Sequence, residues 1–154
     1  MGIKRVVEEV RRLRPGSIIV VNSLLPRSTK ELNGKLIDTE HPGTINVWEG
    51  ILEVNRGLRL YCENYVNVVF FDATDIFLDQ RDNRTGIEGM YIPENLMDDF
   101  LHPTPEGLQR WGEDMVEAIH DIIDASKSKT GRKPLPHWWD GVRTSASAQN
   151  DYLQ

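Results

Sequence analysis

Ile18-Ile19-Val20-Val21-Asn22-Ser23 is a nearly continuous run of β-branched residues that begins just after Pro15-Gly16. A strand with one wet face alternates apolar and polar residues. A run that stays apolar at successive positions suits a strand buried on both faces, as in a parallel sheet. Val66-Asn67-Val68-Val69-Phe70-Phe71-Asp72 repeats the pattern further on.

Around these two runs the period changes from 2 to 3.6. Residues 2–14 place Ile3, Val6, Val7, Val10 and Leu13 on one stripe, with Lys4, Arg5, Glu8, Glu9, Arg11 and Arg12 opposite. Trp48 to Tyr61 offers Ile51, Leu52, Val54, Leu58 and Tyr61 for burial, with Asn55 on or near that face. From Pro105 to about Asp124, Leu108, Trp111, Met115, Ile119, Ile122 and Ile123 form a third stripe. Each is the spacing of an amphipathic helix. Helix, strand, helix, strand, helix predicts an α/β fold with parallel strands and right-handed crossovers.

Two connections are long. Residues 28–48, after Leu24-Leu25-Pro26-Arg27, are rich in Gly, Thr, Asn and charge, and residues 73–98 turn at Asp82-Asn83 and Gly86. The first is expected to serve as a lid or specificity loop. Residues 126–154 change character, with a Ser/Lys/Gly linker, then Pro134-Leu135-Pro136-His137-Trp138-Trp139-Asp140, then small and polar residues. Residues 1–125 therefore read as the domain body, and residues 126–154 as a flexible basic tail.

Charge separates the same two parts. The tail holds five Lys/Arg against two Asp/Glu, a balance of +3, which leaves −9 of the total −6 on residues 1–125. An acidic body argues against nucleic acid as the main partner. No apolar run reaches the roughly 18–20 residues of a membrane span. The charged N-terminal stripe is unlike a signal peptide, so the default location is the cytoplasm. A single cysteine, Cys62, excludes an internal disulfide and a cysteine-based zinc site. His41, His120 and His137 show no metal-ligand spacing, and no cofactor is expected.

The chemistry concentrates in Met97-Asp98-Asp99-Phe100-Leu101-His102-Pro103-Thr104-Pro105-Glu106-Gly107. Asp99 and His102 fall on a loop, and the third helix starts directly after it. Pro103 biases the backbone of His102 toward an extended form. Thr104 suits the N-cap and Pro105 the first helical position. The turn is therefore stiff enough to aim an imidazole. Asp98 is the adjacent rival for the partner acid.

Two strands and three helices do not complete an α/β sheet. Ile18–Asn22 reads as an interior strand, yet no segment N-terminal to residues 2–14 can pair beside it. The chain is expected to be the C-terminal part of a larger domain, prone to self-association through an unpaired strand edge.

From about residue 2 to 124 the chain resembles the SGNH/GDSL hydrolases, in particular the group like platelet-activating factor acetylhydrolase. Asp99-x-x-His102-Pro103 followed by Thr-Pro-Glu-Gly carries the likeness most specifically. The strand ending in Leu24-Leu25-Pro26-Arg27, the Asn55-x-x-Leu58 helix and Val69-Phe70-Phe71-Asp72 support it. The resemblance implies a partial flavodoxin-like α/β/α sandwich, with the two runs as its fourth and fifth strands. It implies His102 as general base and Asp99 as the acid that orients it. It implies ester hydrolysis through an acyl-serine, on a small-molecule or lipid ester. The family's Gly-Asp-Ser and Gly-x-Asn-Asp blocks are absent from residues 1–154. Ser17 precedes a strand, and Ser23 and Ser28 follow one without the tight Gly-rich turn of a nucleophile elbow. A non-catalytic relic acting through its Trp-containing tail is the alternative.

Overall fold

The computed structural model describes residues 2–38, 47–80 and 89–127, and of residues 125–127 the backbone alone. The tail, residues 39–46, and the turn expected at Asp82-Asn83 and Gly86 lie outside the described residues. The order is α1 (Gly2–Leu13), β1 (Ile19–Asn22), α2 (Val47–Glu63), β2 (Val68–Phe71), a 3-10 turn (Asp75–Phe77), β3 (Asp79–Gln80), β4 (Met90–Tyr91) and α3 (Pro105–Lys127). The expected helices and strands all form, with ends shifted by a few residues, and α3 runs two residues past 125.

β1 and β2 pair in parallel, Val21 opposite Phe70 and Asn22 opposite Phe71. All four residues of β2 are buried. Successive side chains point to opposite faces of the sheet. On one face Val21, Val68 and Phe70 cluster with Val7 of α1 and Leu58 and Cys62 of α2. On the other, Phe71 joins the larger cluster with Phe77, Met97, Phe100 and Ala118 of α3. Helices thus lie on both faces of a parallel pair, a partial α/β fold.

The helical stripes differ from their expected form in an informative way. In α2 the buried face is Trp48, Ile51, Asn55, Leu58 and Cys62, while Val54 is exposed. In α3 the buried positions are Gly107, Ala118 and Ile122, with Trp111 and Met115 packed against the main cluster, whereas Leu108 stays exposed. In α1 only Val7 is buried, and Val6 and Leu13 are 63% and 58% exposed. An amphipathic stripe records which face wants burial; whether a neighbour covers it is a tertiary matter.

β1 shows the same incompleteness. Ile19 N–H donates to Asn67 C=O and Ser23 N–H to Phe71 C=O, both at 2.9 Å. The intervening backbone groups of Val20 and Asn22 therefore point away from β2, and among the described residues no strand pairs with that edge. Only its end is closed. The buried Asn55 amide accepts from Leu24 N–H at 2.7 Å and donates to Leu24 C=O at 2.9 Å, as a neighbouring strand would.

The segment after Arg27 is more built-in than its composition suggests. Ser28 is buried, and Leu36 belongs to the main cluster. Lys35 bridges Tyr91, and Ile92 N–H donates to Gly34 C=O at 2.9 Å. β3 and β4 form an antiparallel ribbon that sequence patterning missed, since two-residue strands carry no period.

Two outcomes check this packing. Asn55→Ala leaves two backbone groups at the strand end unpaired and is expected to cost about 2–3 kcal/mol in urea unfolding. The exposed Glu53→Ala control on the same helix should cost less than about 0.5 kcal/mol. Burial, with a smaller contribution from Glu63, pushes the Cys62 thiol up to about 11. Native protein at pH 8 should leave Cys62 unmodified by a thiol reagent that reacts at once in denaturant; rapid native labelling would contradict the packing of α2.

Candidate active site

The site is built upward from the start of α3. Thr104 Oγ1 accepts Gly107 N–H at 3.1 Å and donates to Asn95 C=O, while Thr104 N–H donates to Leu96 C=O at 2.9 Å. This is the expected N-cap, and it also ties the helix to the preceding turn. Gly107 lets the two approach: a Cβ there would overlap the carbonyl oxygen of Leu96 and come within 3.0 Å of the Phe77 ring. That requirement was not legible in Thr-Pro-Glu-Gly itself.

Below the surface, Leu96, Met97 and Phe100 are 2%, 0% and 3% exposed. They anchor a turn whose remaining side chains, Asp98, Leu101 and His102, point outward. Asp99 uses both carboxylate oxygens on this turn. Oδ1 accepts the backbone N–H groups of Leu101 at 2.9 Å and His102 at 2.7 Å. Oδ2 meets His102 Nδ1 at 2.7 Å. The acid that meets the imidazole is therefore that of Asp99 and not of its rival Asp98.

These bonds hold the Asp99 carboxyl well below the usual carboxylate range, chiefly through the His102 side chain and then through the two backbone N–H groups. An ionised carboxylate only accepts, so Nδ1 carries the proton in the neutral ring. Nε2 is then left with an open lone pair. The His102 side chain is 75% exposed, so Nε2 is available to an incoming hydroxyl. The pair can accept a proton and hold the imidazolium that results.

The two serines that follow β1 are tied into the structure. Ser23 is buried and its Oγ accepts Ala73 N–H at 2.9 Å. Ser28 is buried and donates to Lys35 C=O. Both are buried, so neither presents its hydroxyl at the protein surface as the exposed His102 does. Asp72, at the end of β2, receives Arg59 Nη2 at 2.8 Å and also bonds Thr74 through both its backbone N–H and its hydroxyl. Arg27 is exposed, and His120 lies on the exposed side of α3. Among the described residues no group of three or more His, Cys, Asp or Glu could hold a metal ion, and no helix is long and apolar enough to cross a membrane.

No protein-family model matches the chain, and no curated protein matches it. Among solved structures, the chain is similar to one from Streptococcus pneumonia, provisionally named a platelet activating factor. The TM-score is 0.57 at 20% identity, over 76% of this chain and 48% of that one. A likeness at this identity shows the fold, and the partial α/β arrangement is the same. The chain spans about half the length of that structure.

The depressed carboxyl of Asp99 has a testable sign. Its folded value lies below the unfolded one of about 3.9, so its contribution is complete above that pH and is lost as pH falls through the folded value. The stability gap between wild type and Asp99→Asn should be at its full size above about pH 5 and narrow steadily between about pH 4 and pH 2. A gap independent of pH over that range would contradict the three-bond carboxylate.

Proposed function

We propose that the chain is the C-terminal half of an SGNH-type ester hydrolase domain, with residues 1–125 as the domain part and residues 126–154 as an appended tail. The observation that carries this is the Asp99–His102 pair: Nδ1 bonded to a carboxylate at 2.7 Å, with Nε2 facing solvent. In this reading Nε2 takes the proton from a serine hydroxyl as its oxygen attacks the ester carbonyl carbon. Asp99 stabilises the imidazolium. The tetrahedral intermediate collapses, the carbonyl–alkoxide bond breaks, and the proton on Nε2 passes to the departing alcohol. Water, deprotonated by the same nitrogen, then releases the acid and frees the serine.

The serine and the oxyanion donors come from polypeptide outside residues 1–154. The open edge of β1 and the exposed stripe of α1 support that part of the reading, because both are surfaces an adjoining strand and helix would cover. The similar structure is about twice as long as the part matched, which leaves room for such an adjoining half, and in this reading the substrate class is a small-molecule or lipid ester. Without the adjoining half, the β1 edge is the place where two copies of the chain would associate.

The test is comparative. The 154-residue chain should hydrolyse p-nitrophenyl acetate no faster than its His102→Ala variant. A chain extended by the in-frame coding sequence upstream should carry a Gly-Asp-Ser block and hydrolyse the ester. In it, His102→Ala should cost at least about a thousandfold in kcat/KM. An upstream frame without such a block, or an extended chain indifferent to His102→Ala, would overturn the proposal.

A further inference from the structure

Phe100 stands between the acid and the histidine of the turn, and its backbone is unusual. Its φ is +58°, in the left-handed region, where a bulky side chain costs on the order of 1–2 kcal/mol. A glycine would take this φ without steric cost. Two further observations explain why the phenylalanine is tolerated. Its ring is buried, with only 3% of the residue exposed, in the cluster that includes Trp48, Phe77 and Met97. Burial of a ring of this size contributes about 2–3 kcal/mol, enough to outweigh the backbone cost. Its carbonyl oxygen accepts Ser28 N–H at 2.9 Å, from the segment that follows β1.

The seat of the ring is made by Gly34. That glycine also has positive φ, at +78°, and a Cβ on it would lie 2.9 Å from Phe100 Cε1 and 2.6 Å from Ile92 C=O. Gly34 is held in turn by Ile92 N–H, and Ser28 by its bond to Lys35 C=O. The segment 28–36 is therefore a brace beneath the Asp–His turn. The left-handed residue reverses the chain right after Asp99, which is what brings the N–H groups of Leu101 and His102 onto Oδ1 and Nδ1 onto Oδ2.

We infer that Phe100, locked in left-handed backbone by Ser28 and by the side-chain-free surface of Gly34, is the positioning residue that fixes His102 on Asp99. This rests on the hydrolase reading for what His102 then does, but not for the positioning itself. Phe100 has no role in bond-making; it sets which nitrogen of His102 is protonated.

The readout is the tautomer of the neutral His102 ring, taken from its nitrogen chemical shifts in the 15N-labelled 154-residue chain. Wild type should be held as Nδ1–H. Phe100→Gly, which permits the φ but removes the anchor, should lower that tautomer to under about half, as should Gly34→Ala. Phe100→Leu, which keeps an apolar anchor, should retain most of it. Ile76→Ala, a truncation of similar cost elsewhere in the same cluster, should lower the unfolding midpoint and leave the tautomer untouched.

A Phe100→Gly protein that keeps wild-type Nδ1–H would overturn the inference, and so would an Ile76→Ala protein that loses it. Should the variants fail to fold, the unmutated chain still decides. The intraresidue HN–Hα NOE and the coupling of Hα to the preceding carbonyl carbon at Phe100 must both report positive φ while His102 is Nδ1-protonated, and a negative φ with that tautomer intact refutes the assignment. None of these readouts needs ester hydrolysis. An extended chain indifferent to His102→Ala would therefore remove the hydrolase reading and leave the positioning result standing.

Discussion

The carboxylate of Asp99 accepts three hydrogen bonds from two residues, and the candidate site exists because those bonds close. Two come from backbone N–H groups, so the carboxylate shapes the chain before it meets the imidazole. The third then orients a ring already delivered to the right place. An exposed Asp–His pair held by side chains alone would be worth little and would sample many geometries. Here the backbone bonds remove that freedom, while the histidine remains solvent-facing and so able to do chemistry. The supports lie on several sides: the N-cap of α3, the buried Leu96, Met97 and Phe100, and the brace from residues 28–36.

The sheet imposes the second constraint. Helices lie on both faces of the β1–β2 pair, yet among the described residues the outer edge of β1 is closed only at Leu24, by a side-chain amide. The Asn22 side-chain oxygen there is buried without a partner among the described residues. α1 fully buries one residue of its apolar stripe, half-buries Val10 and leaves Ile3, Val6 and Leu13 exposed. These are the marks of a surface built to be covered. In the proposed hydrolase reading, these are the surfaces that the adjoining half would cover.

Much of this was legible from residue patterns, and the reasons differ by element. β2 was clear because an unbroken Val-Val-Phe-Phe run has few other uses, and all four residues are buried. Thr104-Pro105 identified the start of α3, since both residues satisfy the local chemistry of a helix N-terminus. The Asp99–His102 contact followed from spacing on a stiff turn together with family likeness. Burial on α1 and at Leu108 did not follow, because the period of a stripe is local and its cover is not. The brace was also hidden. Segment 28–36 looks like a polar loop, and nothing in its composition shows that Gly34 makes room for a ring or that Ser28 caps the carbonyl of Phe100. The double role of Asn55 was equally silent, since a buried amide on a helix reads as a minor break in the stripe.

The proposed division of the site stands or falls on where the nucleophile is. Fluorophosphonate labelling of the extended protein, followed by peptide mapping of the adduct, locates it directly. The adduct is expected on a serine outside residues 1–154 and should disappear in His102→Ala. An adduct on Ser23, Ser28 or any other serine of residues 1–154 would contradict the division of the site between two halves.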